Sequence, residues 1–294
     1  MKKSILHFIL CLAACTPTRS FAQTTYDNGI FNGKYLSTYS NGNTKVTGQI
    51  ENNQRVGNWE FYSEHGDLVA KISYRSNTEF KTLETQNRDS RTLNVPLNEF
   101  EKLFLLPLEE ENVVWAQRMY RDIPAEEFGL TSDFNFFEFL RKVPTDKTLC
   151  YAEDQFQTQL PDIRSIEHAN EVICGYRIKL DYFIRKDFNF MDFRIVGIAP
   201  LYRASDGTTK EICWLYYHGL KDQVFEKIVN KEGRSMETIL QTRSYHSTIY
   251  KEMNVSDKTL EEVAPDENER KALYREIDQS LIETENNYIL KCYF

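Results

Sequence analysis

Two stretches of the chain repeat at a fixed distance. Gly33-Lys-Tyr-Leu-Ser-Thr-Tyr-Ser-Asn-Gly42 aligns with Gly57-Asn-Trp-Glu-Phe-Tyr-Ser-Glu-His-Gly66, so Gly33 and Gly57, Tyr35 and Trp59, and Gly42 and Gly66 each lie 24 residues apart. Each unit reads as a short strand, a tight turn with glycine where φ must be positive, and a second strand, over 44–50 in the first unit and 68–74 in the second. A unit this short cannot bury a core alone, so the pattern forces stacking into a small antiparallel array over residues 29–75, a region holding six of the twelve glycines. With two units, the array needs a neighbour to cover its open edge.

Beyond the array the texture changes. Residues 76–95, SNTEFKTLETQNRDSRTLNV, are polar and aperiodic, which predicts a linker. From Pro96 the pattern is α+β. The segment 113–122 is either a short helix or a strand flowing into one, and 133–142 predicts a helix capped by Ser132 or Asp133. Residues 172–184 are the clearest strand, with Val172, Cys174, Tyr176, Ile178, Leu180 and Tyr182 alternating with Arg177, Lys179 and Asp181. Segments 190–198 and 212–217 complete an expected three-stranded meander, and 236–248 reads as helix. After Ala264-Pro265, Leu273, Ile277 and Leu281 recur at i+4 spacing in a stretch with nine acids and three bases between Glu261 and Glu285. This acidic helix either docks elsewhere or packs on its own domain. The fold class is therefore α+β: a small N-terminal antiparallel β-hairpin repeat array, then an α+β domain over 96–260 with an antiparallel sheet, then an acidic C-terminal helical arm over 261–294.

A hydrophobic content of 41% over 294 residues supplies a packed core. The net charge of −8 excludes a basic nucleic-acid footprint. Residues 1–22 have the form of an export signal: Lys2-Lys3, then an apolar run over 5–14 too short to span a bilayer. Two cleavage sites compete. Leu12-Ala13-Ala14-Cys15 has lipobox form, which would end the signal at residue 14 and acylate Cys15; Ser20-Phe21-Ala22 has the form of an ordinary cleavage site. Either way the chain is exported, and Cys150, Cys174, Cys213 and Cys292 face an oxidising compartment. Cys174 and Cys213, each in a strand-like run, are either a disulfide pair across the sheet or buried thiols.

Catalytic constellations are sparse. His168-Ala-Asn-Glu171 has no second histidine nearby, whereas a zinc site needs three or four converging ligands. Cys150 or Cys174 with His168 lacks any flanking motif of a nucleophile and base, and no Walker, Rossmann or G-x-S-x-G pattern occurs. Asp181, Asp187 and Asp192 are the candidates for paired carboxylates, but Asp181 shares its strand face with Arg177 and Lys179, and Asp192 lies two residues from Arg194. Cross-strand charge ladders are the simpler expectation. No enzyme activity, cofactor or metal is expected.

The strings Val113-Val-Trp-Ala-Gln-Arg118, Gly175-Tyr-Arg-Ile, Asp181-Tyr-Phe, Met191-Asp-Phe-Arg-Ile-Val-Gly-Ile-Ala-Pro200, Trp214-Leu-Tyr-Tyr and Thr248-Ile-Tyr-Lys-Glu-Met-Asn-Val-Ser-Asp257 run in the order of the gliding-motility protein GldN, or PorN, which the chain resembles over about residues 100–260. The match is loose over 218–235. Its signature residues here are Arg177, Asp181, Met191, Arg194, Gly197, Pro200, Tyr250, Lys251, Glu252 and Asn254, as structural or partner-facing positions. The resemblance implies a non-enzymatic periplasmic subunit of the type IX secretion system, on the inner face of the outer membrane. It further implies a homo-oligomeric ring with a GldK/PorK-like lipoprotein, near GldL/GldM-like motor proteins. The N-terminal units lie outside this resemblance and are instead similar to MORN and YwqK-type repeats. A repeat array that binds another protein or an envelope polymer is the alternative function.

Overall fold

A computed structural model describes residues 23–77, 80–85, 112–131, 134–143, 150–160, 166–186, 191–243 and 245–293. The expected export signal with Cys15, the linker from residue 86 onward, the proposed caps Ser132 and Asp133, and Asp187 lie outside these residues. The chain divides into two compact units. One holds the repeats and the C-terminal stretch from Ile282; the other holds Asp27–Ile30 and Pro107–Leu281. The expected α+β class is observed.

The first unit is a six-stranded sheet in sequence order: β1 (Gln23–Asp27), β2 (Ile30–Thr38), β3 (Thr44–Glu51), β4 (Gln54–Tyr62), β5 (Leu68–Tyr74) and β6 (Phe80–Thr85). The period is written in its hydrogen bonds. Phe31 N–H donates to Asn53 Oδ1 at 2.8 Å, and 24 residues on Arg55 N–H donates to Asn77 Oδ1 at 2.7 Å. Asn52 and Asn53 both turn with positive φ, which asparagine tolerates. The ladder thus continues past the second unit, and β6, which pairs with β5, occupies residues that the sequence assigns to a linker. Polarity misled there, because β6 is a half-exposed last strand. Gly48 is required by packing rather than by a turn: a Cβ there would sit 2.2 Å from the Trp59 indole.

One face of this sheet buries Phe31, Tyr35, Val46, Ile50, Trp59, Phe61 and Ile72 against Ile289, Leu290 and Tyr293. These last three belong to the C-terminal helix, Glu267–Tyr293, which runs eight residues beyond Glu285. Each fully buried side chain of this kind contributes about 1.5–3 kcal/mol. Buried Arg55 stacks on Trp59, 4.4 Å from its ring centre, and donates to Glu285 at 2.7 Å and Asn286 at 2.8 Å. Asn286 is fully buried and donates to the Tyr35 hydroxyl, which donates in turn to Glu283. What the C-terminal helix covers is the array's apolar face rather than an edge; β1 and β6 are the two edge strands. The first part of the same helix packs Ile277 and Leu281 into the core of the second unit, where Asp278 pairs with buried Arg121. Packing on its own domain is thus observed for the helix through Leu281, while the part from Ile282 packs on the array instead.

The second unit is built on the antiparallel sheet β13-β7-β9-β10-β12-β8, comprising β7 (Val113–Pro124), β8 (Cys150–Tyr151), β9 (Ile173–Arg185), β10 (Met191–Arg203), β12 (Trp214–Tyr216) and β13 (Thr248–Glu252), with β11 (Thr209–Glu211) also on β10. The segment 113–122 is all strand, because its full length registers against β9. The helix expected over 133–142 spans Phe136–Lys142 and is capped by Asn135, whose side chain accepts from Glu138 N–H. The helix expected over 236–248 ends at Thr242, where Arg243 turns left-handed and the chain leads into β13. The meander gains β11 and the edge strand β8. Pro200, deep in β10, is tolerated because it falls between the residues paired with β12 and those paired with β11. Tyr176, Ile178, Leu180 and Tyr182 face the core with Met119, Phe128, Phe136 and Ile198.

Candidate functional site: the charged and aromatic face of the second sheet

The opposite face of this sheet carries the chemistry. Strand alternation puts Arg118, Tyr120 and Asp122 of β7 beside Asp181, Lys179 and Arg177 of β9, pair by pair in register. On β10, Arg194 registers with Asp181, Gly197 with Lys179 and Ala199 with Arg177.

In the first row Arg177 is only 2% exposed. Its Nε and Nη2 donate to the two Asp122 oxygens at 2.6 and 2.7 Å, and Nη1 donates to Glu211 at 2.5 Å. The guanidinium lies 3.0 Å from the centre of the Tyr250 ring. Burial works to lower the Arg177 pKa, yet the hydrogen bonds and charge of Asp122, helped by Glu211, carry it upward. An arginine fork meets a carboxylate in this two-point geometry as lysine cannot.

The second row centres on buried Lys179, whose ammonium donates to the Asp154 carbonyl at 2.6 Å and its carboxylate at 3.4 Å. Tyr120 donates to the same carboxylate. Burial lowers the Lys179 pKa against the pull of Asp154. Phe156 closes over Gly197, where a Cβ would come within 2.5 Å of its ring, and makes edge contacts with Tyr151 and Tyr216. Lys251 sits 4.8 Å from the Tyr120 ring centre and pairs with Asp257.

The third row is more open. Arg118 donates to both Asp181 oxygens at 2.6 and 2.7 Å, with the two side chains about a third exposed. Arg194 lies 5.3 Å from the Phe183 ring centre. Asp192, beside it, accepts from Phe193 N–H and is pushed up to about 6 by burial.

The structure thus gathers Arg177, Asp181, Arg194, Gly197, Tyr250 and Lys251 of the expected residues on or beside one face. Met191 packs instead against the core. Glu252 accepts from Gln117. Asn254 organises the loop after β13, donating to the Glu252 and Lys258 carbonyls and accepting from the Ser256 hydroxyl and from Lys258 N–H. Asp122, Tyr120, Asp154, Phe156 and Glu211 went unrecognised in the sequence; the first two were legible as a period of two, had 113–122 been assigned to strand. Of the two readings for Cys174 and Cys213, a disulfide or thiols, the structure has free thiols. The four cysteines among the described residues are free, and the neighbouring Cys150 thiol, with burial, pushes the Cys213 pKa up. Cys174 stays half-buried near the start of β9, away from the apolar cluster holding the other two.

Asp181 has both oxygens engaged by arginine, as a structural ladder requires and an acid–base catalyst does not. His168 stacks on Tyr202, with ring centres 4.4 Å apart, between Glu167 and Glu171. Among the described residues no group of three His, Cys, Asp or Glu side chains converges on a metal position, and no helix is long and apolar enough to cross a membrane. The family model described as gliding motility associated protein GldN matches residues 108–289. No curated protein matches the chain.

Proposed function

The chain belongs to the GldN family of gliding motility associated proteins, and from that membership we propose that it is a non-enzymatic assembly subunit of the type IX secretion and gliding machinery. It acts in the periplasm, in a ring with a GldK-like lipoprotein on the inner face of the outer membrane, near GldL/GldM-like motor proteins. The observation that carries this reading is the closed pairing on the sheet's charged face: Arg177 is held by Asp122 and Glu211, Lys179 by Asp154, and Asp181 by Arg118. A face wired in this way is a rigid platform with its acids committed to bases, suited to assembly rather than to proton transfer. The export signal form of residues 1–22 supports the periplasmic placement. Outer-membrane attachment comes through the partner or through an acylated Cys15, which the intact mass of the mature N-terminus distinguishes.

The alternative of an adaptor recruiting a partner through its repeats has less support, since the array's aromatic face is filled by residues 282–293. A tagged copy extracted gently from the envelope is expected to co-purify with a GldK-like lipoprotein in a high-mass complex. Recovery of the free monomer alone refutes the reading.

A further inference from the structure

We propose that Cys150 and Cys213 join in an intramolecular disulfide when the chain folds in an oxidising compartment, pinning the edge strand β8 to β12. The proposal rests on the export reading above.

Cys150 opens β8, and Cys213 immediately precedes β12. These strands pair through only two residue pairs, Leu215 with Cys150 and Trp214 with Tyr151. Both thiols are nearly inaccessible, at 1% and 2% exposure, in one apolar cluster, and Cys213 lies two residues from Leu215, the residue that stands opposite Cys150, so the two cysteines are diagonal neighbours on the buried face of adjacent strands. A pair of buried thiols flanking a seam of only two residue pairs at the sheet edge is where a covalent link adds much.

What that seam holds is the cap of the charged face. From β8 the chain makes a tight excursion, closed by Ala152 N–H to the Thr158 carbonyl at 3.0 Å and Leu160 N–H to the Cys150 carbonyl at 2.9 Å. The excursion delivers Asp154 to Lys179 and Tyr120, and Phe156 onto Gly197. A disulfide at its base fixes both side chains over the second row.

The chemistry is thiol–disulfide exchange, with an exchangeable disulfide, enzymic or glutathione, as oxidant. One cysteine thiolate attacks the oxidant's disulfide, forming a mixed disulfide and expelling one thiolate. The second thiolate then attacks the protein sulfur of that mixed bond and expels the other. Two thiols become one disulfide, while the oxidant takes up two electrons and two protons and leaves as two thiols. The neighbouring Cys150 thiol, with burial, raises the Cys213 pKa in the folded chain, so exchange precedes docking of β8, while both sulfurs still meet water.

The test uses the full chain expressed in its host, treated with excess N-ethylmaleimide at neutral pH, separated into cytoplasmic and envelope fractions, denatured in the same reagent so that buried thiols react, and mapped by mass spectrometry without reductant. Envelope copies are expected to lack label on Cys150 and Cys213, to yield a crosslinked peptide joining them, and to label at Cys174 and Cys292. Label on Cys150 and Cys213 in envelope copies, or a link through Cys174, overturns the proposal. Copies confined to the cytoplasm refute the export reading instead. The pairing is then decided by refolding the purified chain in a glutathione redox buffer, where persistent Cys150 and Cys213 thiols overturn it and their link sustains it. Reduction of the linked protein is expected to lower the Tm of the second unit by about 10 °C, from the entropy a loop of this length returns to the unfolded chain.

Discussion

Removing Asp122 isolates a buried cation, and the size of the effect follows from the geometry. Arg177 is 2% exposed and spends two of its three hydrogen bonds on Asp122. Asp122→Ala leaves Nε and Nη2 without acceptors beneath Tyr250, with only Glu211 to offset the charge. Breaking a buried pair from one side costs about 3–5 kcal/mol, and the remaining glutamate places the expectation near the lower bound, about 3 kcal/mol. Arg177→Met alone strands Asp122 and costs about 2 kcal/mol by the same logic. The double variant removes both charges and should cost about 1 kcal/mol, chiefly the lost stacking on Tyr250. The coupling between the two sites is thus about 4 kcal/mol. Urea unfolding gives the totals, and hydrogen exchange of β9 amides reads the second unit by itself. If Asp122→Ala costs under about 1 kcal/mol, or the double variant is as unstable as the worse single one, the pair is not the buried clamp described here.

Gly48→Ala drives a methyl into the Trp59 indole and should destabilise the array by about 1–3 kcal/mol, read as a lower thermal midpoint with shifted Trp fluorescence. Deleting residues 282–294 strips Ile289, Leu290 and Tyr293 from the array core and leaves Arg55 without Glu285 and Asn286. Limited proteolysis should then cut within residues 23–85 while β9 and β10 stay protected, and an array that remains resistant contradicts the packing described. Glu237, buried beside Tyr217 and Lys221, is raised to about 7 by burial from an ordinary 4.5. Its folded pKa is raised, so its contribution is fully present below pH 4.5 and fades as pH rises through 7; the stability of wild type relative to Glu237→Gln should fall by about 3 kcal/mol between pH 4.5 and 8, and parallel curves would exclude this. Replacing Arg118 with Gln and Asp181 with Asn together removes a third-exposed pair worth about 0.2–1 kcal/mol, so the fold should persist. Loss of the lipoprotein from such a folded variant would identify this rim as the contact, and undiminished co-purification would locate the contact elsewhere.

The strand at 173–185 was legible because alternation is local: Tyr176, Ile178, Leu180 and Tyr182 face the core as their spacing requires. The same alternation hid the burial of Arg177 and Lys179. Periodicity assigns a face, whereas exposure depends on what lies over it, and here that is Tyr250 from β13 and Asp154 from the segment after β8. Residues 113–122 were ambiguous because Trp115 and Met119 are spaced for a helix while Arg118, Tyr120 and Asp122 are spaced for a strand; pairing with β9 decided it. The repeat was legible through its glycines and aromatics. Its continuation was not, since Asn77 works through its side-chain amide, accepting from Arg55 N–H and donating to the Asn53 carbonyl, which no composition reveals.

The resemblance strings, taken residue by residue, record constraints inside the chain. Gly197 makes room for Phe156, Pro200 fills a gap in the pairing of β10, Tyr250 covers the Arg177 guanidinium, and Asn254 braces a loop through four hydrogen bonds. Gly197, Pro200 and Tyr250 would be required whether or not a partner bound, because each serves a buried group or a close approach within one sheet, while Asn254 fixes an exposed loop through its own chain's backbone. The Arg118–Asp181 pair differs: it adds little to the fold and keeps a third of its surface in water. A substitution at Gly197 or Tyr250 that abolishes assembly therefore says nothing about the contact surface, since the platform itself is lost. The exposed pair is where the fold and the contact can be perturbed separately.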